Sequence, residues 1–200
     1  PLALFLRRYV LRGLSLMPMD VSLFGGPAKS DPYLRVNVGD DVFDDRKNYI
    51  KDQTEVDFYK CIELHTELPG AGLLEIEVKD YDEWTSDDLI GKTVIDLEDR
   101  WFDERWKLMG LENKNTAADR LRWATKPLET RELFIPTSHS PQGNLECWVD
   151  IMPTSEADMF PIDDITLPPS QVYECQLVVW RARDMVSMDA LEDMNDLYVK

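Results

Sequence analysis

The stretch KDYDEWTSDDLIGKTVIDLED, residues 79–99, decides the fold because it places an acidic loop between two predicted strands. Before the loop, Leu74, Ile76 and Val78 alternate with charged residues, which is the period of a strand with one buried and one wet face. After it, residues 90–97 form a second apolar-rich run. Aspartates in such a loop lie at a strand end rather than on a strand face. The stretch therefore predicts an acidic surface at one end of a β-sheet.

Other strand-like runs are separated by turn residues, at residues 9–16, 33–38, 58–64, 133–135 and 145–152. Between residues 98 and 126 the chain is rich in Trp, Arg and Lys, which predicts a long connection with one or two helical turns. Several short strands at this spacing are typical of an antiparallel sandwich. The sequence therefore predicts an all-β sandwich of eight antiparallel strands.

A Pro- and Asp-rich segment, residues 154–170, has the composition of a linker. After it, residues 172–182 resume the strand pattern, and VVWRARDMVSMDA (residues 178–190) resembles YVLRGLSLMPMD (residues 9–20). We therefore predict a first domain over residues 1–153, a linker over 154–170 and the first strands of a second, similar domain over 171–200. The chain begins at a proline and stops within an apparent strand, so we expect both ends to be cuts in a longer protein.

The chain carries 39 acidic and 22 basic residues, for a net charge of −17. Nucleic-acid binding needs clustered Lys and Arg, so this class of partner is excluded. An acidic protein also repels an anionic membrane unless a cation intervenes, although the same charge can serve only to keep a chain soluble. The three cysteines are far apart and there are two histidines, which argues against structural zinc and favours reduced thiols in the cytosol. No apolar run approaches the roughly 18 residues of a membrane span, and no signal peptide is recognised.

Aspartates cluster at predicted strand ends, at Asp20, Asp31, Asp80, Asp82 and Asp88. Asp80 and Asp82 are two residues apart, so in an extended segment they project to the same side. The loops of a sandwich gather at its two ends, where these acids can converge. Close carboxylates repel by roughly 1 kcal/mol or more per pair, and an all-oxygen set neutralised by a cation favours Ca²⁺. The alternative is that each aspartate is an ordinary turn residue.

Apolar residues lie beside these acids, with Leu23 and Phe24 in the first loop, between Asp20 and Asp31, and Trp84 in the third loop, between Asp80 and Asp88. Such side chains at loop tips either insert into a membrane or pack back on the sandwich. Arg46, Lys47 and Lys51 are interleaved with aspartates, which favours a solvated mixed-charge face over a lipid-headgroup patch. No catalytic or phosphate-binding motif is present, so we expect a non-enzymatic protein.

Two segments, SDPYLRVNVG (residues 30–39) and residues 79–99, resemble the calcium loops of C2 domains. Four further segments resemble ferlins, in ferlin order: DDRKNYI (residues 44–50), GKTVIDLEDRWF (91–102), ETRELFIP (129–136) and QGNLECWVDIMP (142–153). The first loop carries extra residues, VSLFGGPA (21–28), and the connection over residues 101–128 is shorter than in animal ferlins. The resemblance implies the penultimate C2 domain of a ferlin, in the circularly permuted (type II) topology, and the start of the last C2 domain.

The resemblance also implies the ligands. Asp20, Asp31, Asp80, Asp82 and Asp88 would bind Ca²⁺, helped by the backbone carbonyls of Met19 and Tyr81. In the second domain, Asp189 and Asp196 occupy the first-loop ligand positions.

The implied function is Ca²⁺-dependent binding of anionic phospholipid in vesicle–membrane fusion, exocytosis or membrane repair. It would act on the cytosolic face of a vesicle or plasma membrane, with fusion-machinery proteins as further partners and a transmembrane anchor outside this chain. Two alternatives stay open: a Ca²⁺-independent protein-interaction scaffold, and the C2 portion of a lipid-cleaving enzyme.

Overall fold

A computed structural model describes residues 1–19, 29–109, 126–167, 169 and 172–184. It divides the chain into two compact units, Pro1–Leu167 and Pro168–Lys200. Several predicted site residues lie outside the described residues, namely Asp20, Leu23, Phe24, Asp189 and Asp196. Among the described residues, no helix is long and apolar enough to cross a membrane.

The first unit is a sandwich of two four-stranded antiparallel sheets, which confirms the predicted fold class. Its strands are β1 (Leu2–Leu14), β2 (Pro32–Val38), β3 (Asp41–Asp44), β4 (Val56–Leu68), β5 (Leu73–Asp80), β6 (Leu89–Asp96), β7 (Glu129–Glu132) and β8 (Asn144–Pro153). Two short helices follow β6, α1 (Leu97–Phe102) and α2 (Glu104–Leu108), and 3-10 turns span Arg46–Asn48 and Thr154–Met159. The helical turns predicted after residue 98 are therefore present.

The first sheet has the strand order β4-β1-β8-β7 and the second β3-β2-β5-β6. The last strand, β8, thus lies between β1 and β7, and it pairs with β1 from Leu4↔Pro153 to Leu14↔Asn144. The first and last strands are therefore neighbours, and the two chain ends of the sandwich lie side by side. Circular permutation of a C2 domain requires this closeness of the two chain ends.

The core lies between the sheets and is built from alternate residues of the strands. In β5, Leu74, Ile76 and Val78 are fully buried, and the intervening residues are partly exposed. Burying each aliphatic side chain of this kind contributes about 1.5–3 kcal/mol. The period-two pattern of the sequence therefore corresponds to the buried face of the second sheet.

Beyond β7 the chain crosses from the first sheet to the second. The Leu133 amide donates to the carbonyl of Gly143 at 2.9 Å, whereas Phe134 exchanges two hydrogen bonds of 2.9 Å with Lys92. Gly91 permits this approach, because a Cβ there would lie 2.8 Å from the Cβ of Leu133. The strand predicted over residues 133–135 was wrong in position, since the strand is the polar Glu129–Glu132 and the apolar residues after it form the crossing.

Arg8 is an unexpected member of the interior. Its side chain is fully buried, and one guanidinium nitrogen contacts the Sγ of Cys147 at 2.7 Å. The Nε and Nη1 atoms have no hydrogen-bond partner among the described residues. Burial lowers the pKa of Arg8 to about 10, because a low-dielectric interior disfavours the charged form.

The segment after β8 folds back across the outer face of the first sheet, and residues 154–163 are called here the strap. Ala157 and Phe160 of the strap pack with Phe5 and Met152. Arg7 donates to the carbonyls of Phe160 and Ala157, and the Asp163 amide donates to the Tyr9 hydroxyl at 3.1 Å. The compact unit therefore ends at Leu167, later than the predicted domain boundary at Pro153.

In the second unit, residues 172–183 are exposed and form no strand, although the sequence predicts one over residues 172–182. A strand is defined by hydrogen bonds to a neighbouring strand, and none of the described residues of this unit belongs to such a pair. The start of a second C2 domain over residues 171–200 stays a prediction.

Candidate cation site at the end of the sandwich

Three of the predicted ligands converge through their backbones. Asp80 ends β5 and stands beside Pro32 of β2 in the sheet register, which brings it next to Asp31. The Asp31 amide donates to the Asp80 carboxylate at 2.5 Å, and the Tyr81 amide donates to the Asp31 carbonyl at 3.0 Å. The Asp80 amide donates to the Asp88 carbonyl at 2.8 Å. The prediction that the two loops meet at one end of the sandwich thus matches the positions of Asp31, Asp80 and Asp88.

The carboxylates of this group differ in exposure and in partners. Asp80 is buried, with 2% of its surface exposed, Asp31 and Asp82 are half-buried, and Asp88 is exposed. The Asp31 carboxylate accepts a hydrogen bond from the Asp52 amide at 2.8 Å. Within the described part of the chain, no three His, Cys, Asp or Glu side chains form a group that could hold a metal ion. The structure therefore brings the acids to one place without arranging their carboxylates around a common point.

The donor chemistry of the site fits Ca²⁺. The predicted side-chain ligands are all carboxylates, and no histidine or cysteine lies among them. Hard oxygen donors of this kind suit Ca²⁺, which accepts six to eight oxygens in flexible geometry. Asp20, the remaining predicted ligand of this domain, lies outside the described residues.

Asp87 is a functional candidate that the sequence reasoning missed. Its carboxylate accepts hydrogen bonds from Arg46 at 2.6 and 2.9 Å, from the Tyr33 hydroxyl at 2.7 Å and from the Asp82 amide at 3.0 Å. The hydrogen bond from Arg46 holds the pKa of Asp87 well below its usual range. Burial, aided by the hydrogen bond to Asp87, raises the pKa of Tyr33. The signal in the sequence is the adjacent pair Asp87-Asp88, of which only Asp88 is among the predicted ligands.

Arg46 is held by more than this ion pair. It donates a further hydrogen bond to the Asp82 carbonyl at 2.9 Å. Its guanidinium carbon lies 4.3 Å from the centre of the Tyr81 ring, and Tyr49 stacks on Tyr81 with ring centres 4.0 Å apart. Arg46 is therefore bound to the third loop through both polar and aromatic contacts.

Trp84 lies at the tip of the third loop and is 89% exposed. The alternative that it packs back on the sandwich is wrong, because a packed indole would lose most of its exposure. The two other predicted membrane-inserting residues, Leu23 and Phe24, lie outside the described residues.

Comparison with known proteins agrees with the fold. The family model described as C2 domain matches residues 5–113. Human myoferlin is 25% identical over an alignment that covers 97% of this chain and 13% of that protein. Ferlin 2 of Toxoplasma gondii is 31% identical, with 92% of this chain and 12% of that protein covered. The chain thus spans about an eighth of the length of these relatives.

A solved structure is also similar. It is the calcium-bound form of two consecutive C2 domains of Extended-Synaptotagmin 2, at 25% identity and a TM-score of 0.53, with 78% of this chain and 49% of that chain covered. The strand order, the acidic loops and the family match together show that the chain belongs to the C2 domain family, with ferlins as relatives that align over nearly its whole length.

Proposed function

We propose that the first unit binds anionic phospholipid membranes in a Ca²⁺-dependent manner. The observation that carries the proposal is the convergence of Asp31, Asp80 and Asp88 at one end of the sandwich, where the loop that links Asp80 to Asp88 also carries the exposed Trp84. Asp31, Asp80, Asp82 and Asp88, with Asp20 from the first loop, would hold the ion. When bound, Ca²⁺ supplies positive charge to which a lipid phosphate can coordinate.

The chain's own residues account for the dependence on the ion. With a net charge of −17, the chain repels an anionic surface in the absence of a cation. Trp84 gives little attachment by itself, because electrostatic repulsion opposes its approach to the membrane. Once the acids are neutralised, its indole can enter the interfacial zone, where Trp is favoured. Leu23 and Phe24 are proposed to insert beside it.

The proposed role in the whole protein is a non-enzymatic one in vesicle–membrane fusion, exocytosis or membrane repair. The likeness to ferlins supports this role, and the calcium-bound Extended-Synaptotagmin 2 structure supports Ca²⁺ as the ion. We further propose a location at the cytosolic face of a vesicle or plasma membrane, a transmembrane anchor outside this chain and contacts with fusion-machinery proteins. In the second unit, Asp189 and Asp196 are proposed as ligands of a second site.

Liposome sedimentation tests the proposal. The chain should sediment with phosphatidylserine-containing vesicles in millimolar Ca²⁺, and should stay in solution in EGTA or with phosphatidylcholine vesicles alone. Asp82→Asn should abolish sedimentation. Asp40→Asn is the matched control, because this exposed aspartate lies in the β2–β3 turn at the opposite end of the sandwich.

Equal sedimentation in Ca²⁺ and EGTA would contradict the proposal and favour a Ca²⁺-independent scaffold. A blue shift of Trp84 fluorescence only when Ca²⁺ and anionic vesicles are both present would identify the inserted residue, with Trp84→Ala as the reference that removes the signal.

A further inference from the structure

Arg46 and Asp87 join two segments that are distant in sequence. Their side chains pair through two hydrogen bonds, at 2.6 Å from Nε to Oδ2 and 2.9 Å from Nη2 to Oδ1. We propose that this pair, the Arg46–Asp87 clamp, is a positioning device that fixes the third loop in the shape needed for Ca²⁺ binding before the ion arrives. The inference rests on the proposed function and assigns roles to two residues that are not themselves ligands.

The clamp closes the loop on itself. Asp87 accepts a hydrogen bond from the Asp82 amide at 3.0 Å, and Arg46 donates to the Asp82 carbonyl at 2.9 Å. Both backbone groups of Asp82 are therefore tied to the clamp. Asp80 is fixed independently, because its amide donates to the Asp88 carbonyl at 2.8 Å. The three candidate ligands of this loop are thus restrained by hydrogen bonds that involve no metal.

The clamp is also anchored to the second sheet. Arg46 begins a 3-10 turn that directly follows β3, and its amide donates to the Asp44 carboxylate at 2.9 Å. The adjacent Asp45 amide donates to the Leu34 carbonyl of β2 at 3.0 Å. Tyr33, also on β2, donates its hydroxyl to Asp87. The loop is therefore held against two strands.

The surroundings distinguish this pair from an ordinary surface ion pair. The Asp87 side chain is 7% exposed, whereas Arg46 is 45% exposed. The Tyr81 ring covers the guanidinium, and Tyr49 stacks on Tyr81. Bidentate geometry and several simultaneous partners give a defined orientation that single exposed pairs lack. Restraining a loop in advance lowers the entropic cost of ordering it around a ligand.

The clamp and the positive charge of Arg46 predict opposite effects of Arg46→Gln on the affinity for Ca²⁺. Removal of a nearby positive charge, taken alone, should strengthen binding of a cation. Loss of the clamp should weaken it, because the acids must then be ordered by the ion. We expect Ca²⁺ affinity of the whole chain, measured by titration calorimetry, to fall about 10- to 100-fold, the usual effect of removing a residue that orients metal ligands.

Three further variants distinguish loss of the clamp from loss of the positive charge. Lys47→Gln removes the same charge from the same turn, where the Lys47 side chain is exposed, and should leave Ca²⁺ affinity unchanged or slightly higher. Arg46→Lys keeps the charge but cannot form the bidentate pair, so it should weaken binding as Arg46→Gln does. Asp87→Asn should add little further loss in the Arg46→Gln background, because the two residues act as a unit.

A readout without Ca²⁺ tests the clamp itself. In EGTA, the amides of residues 82–87 should exchange with solvent deuterium faster in Arg46→Gln than in the unmodified chain, while the amides of β5 keep their rates. Unchanged β5 exchange also excludes simple unfolding. Unweakened Ca²⁺ binding by Arg46→Gln would overturn the clamp and leave the proposed function standing. Absence of Ca²⁺ binding by the unmodified chain would overturn both.

Discussion

Asp87 and Asp88 are consecutive residues with different environments. The Asp87 carboxylate is enclosed by Arg46 and Tyr33, whereas Asp88 is exposed and offers its carbonyl to the Asp80 amide. Asp87 thus pairs with a residue of β2 and a residue of the turn after β3, whereas the side chain of Asp88 is exposed. A structural carboxylate and a candidate ligand are thereby placed side by side.

Asp80 is a second single residue with a structural role, because it should stabilise the fold even without Ca²⁺. Asp80→Ala leaves the Asp31 amide without its carboxylate acceptor, and loss of a partly buried hydrogen bond to a charged group costs about 1–3 kcal/mol. Urea unfolding in EGTA should show that loss. Asp88→Ala is the control, because its exposed side chain should change the free energy of unfolding by less than about 0.5 kcal/mol. Equal effects of the two substitutions would show that Asp80 has no structural role.

The order of elements predicts that five acids approach each other, Asp20, Asp31, Asp80, Asp82 and Asp88, because the loops of a sandwich gather at its ends. The structure brings Asp31, Asp80 and Asp88 into contact, but the order of elements does not predict how Asp87 is used. The role of Asp87 depends on Arg46, which lies in a turn 41 residues away in sequence. No local pattern encodes that pairing, so only the tertiary structure reveals it.

At the scale of elements, the two shortest strands were the hardest to predict. β3 and β7 are sheet edges, and neither contains a buried residue; both alternate between half-buried and exposed. Apolar periodicity arises from burial of one face, so it is weak where that face is only half covered. The longer strands carry the core and were found from their pattern, although β1 and β4 both extend further than predicted.

The edge strand β7 is held to α1 by charge. Glu129 pairs with Arg100 at 2.6 and 2.7 Å and with Arg131 at 3.0 Å. Burial tends to raise the pKa of Glu129, but the two arginines outweigh it and the net pKa is lowered. The charged carboxylate is therefore the stabilising form.

The consequence for pH follows from that lowered pKa. Because the pKa of Glu129 is lower in the folded chain, the unfolded chain binds the Glu129 proton more tightly. The contribution of Glu129 to stability is therefore complete above its ordinary pKa of about 4.3, and it is lost as the pH falls below that value. The unmodified chain should be more stable than Glu129→Gln at pH 7, and the difference should shrink between about pH 5 and pH 3. The urea midpoints of the unmodified chain and of Glu129→Gln, measured between about pH 5 and pH 3, check this. A difference between the two midpoints that does not change with pH would contradict the prediction.

Composition alone does not show that the strap packs on the first sheet, because prolines and aspartates are typical of linkers and of surface turns alike. Arg7 is the anchor that the composition does not show: its side chain is 8% exposed and donates to two strap carbonyls. We expect Arg7→Met to cost about 1–3 kcal/mol of stability through the lost buried hydrogen bonds. Limited proteolysis should then cut within residues 154–163 sooner.

Arg12→Met is the control for this effect, because Arg12 lies on the same strand but is 45% exposed and pairs only with Glu146 in the described structure. If the two variants are cleaved in the strap at equal rates, Arg7 does not anchor it.

At the scale of the whole molecule, Ca²⁺ should stabilise the chain against heat. A ligand that binds only the folded state adds about 2.7 kcal/mol at a hundredfold excess over its dissociation constant. The melting temperature should therefore rise by several degrees in millimolar Ca²⁺, and by much less in Mg²⁺, which gives up its water reluctantly. An unchanged melting temperature in Ca²⁺ would contradict the metal site.

The position of β8 sets the order of events during synthesis. β8 is the last strand of the sandwich to leave the ribosome, yet it lies in the middle of the first sheet, between β1 and β7. A nascent chain that has reached only residue 143 therefore presents β1 with one open edge and an incomplete core. Open strand edges pair readily with other chains, and partly folded intermediates aggregate. The domain can close only when Pro153 has emerged, so translation pauses before that residue should prolong the interval in which the nascent chain needs a chaperone.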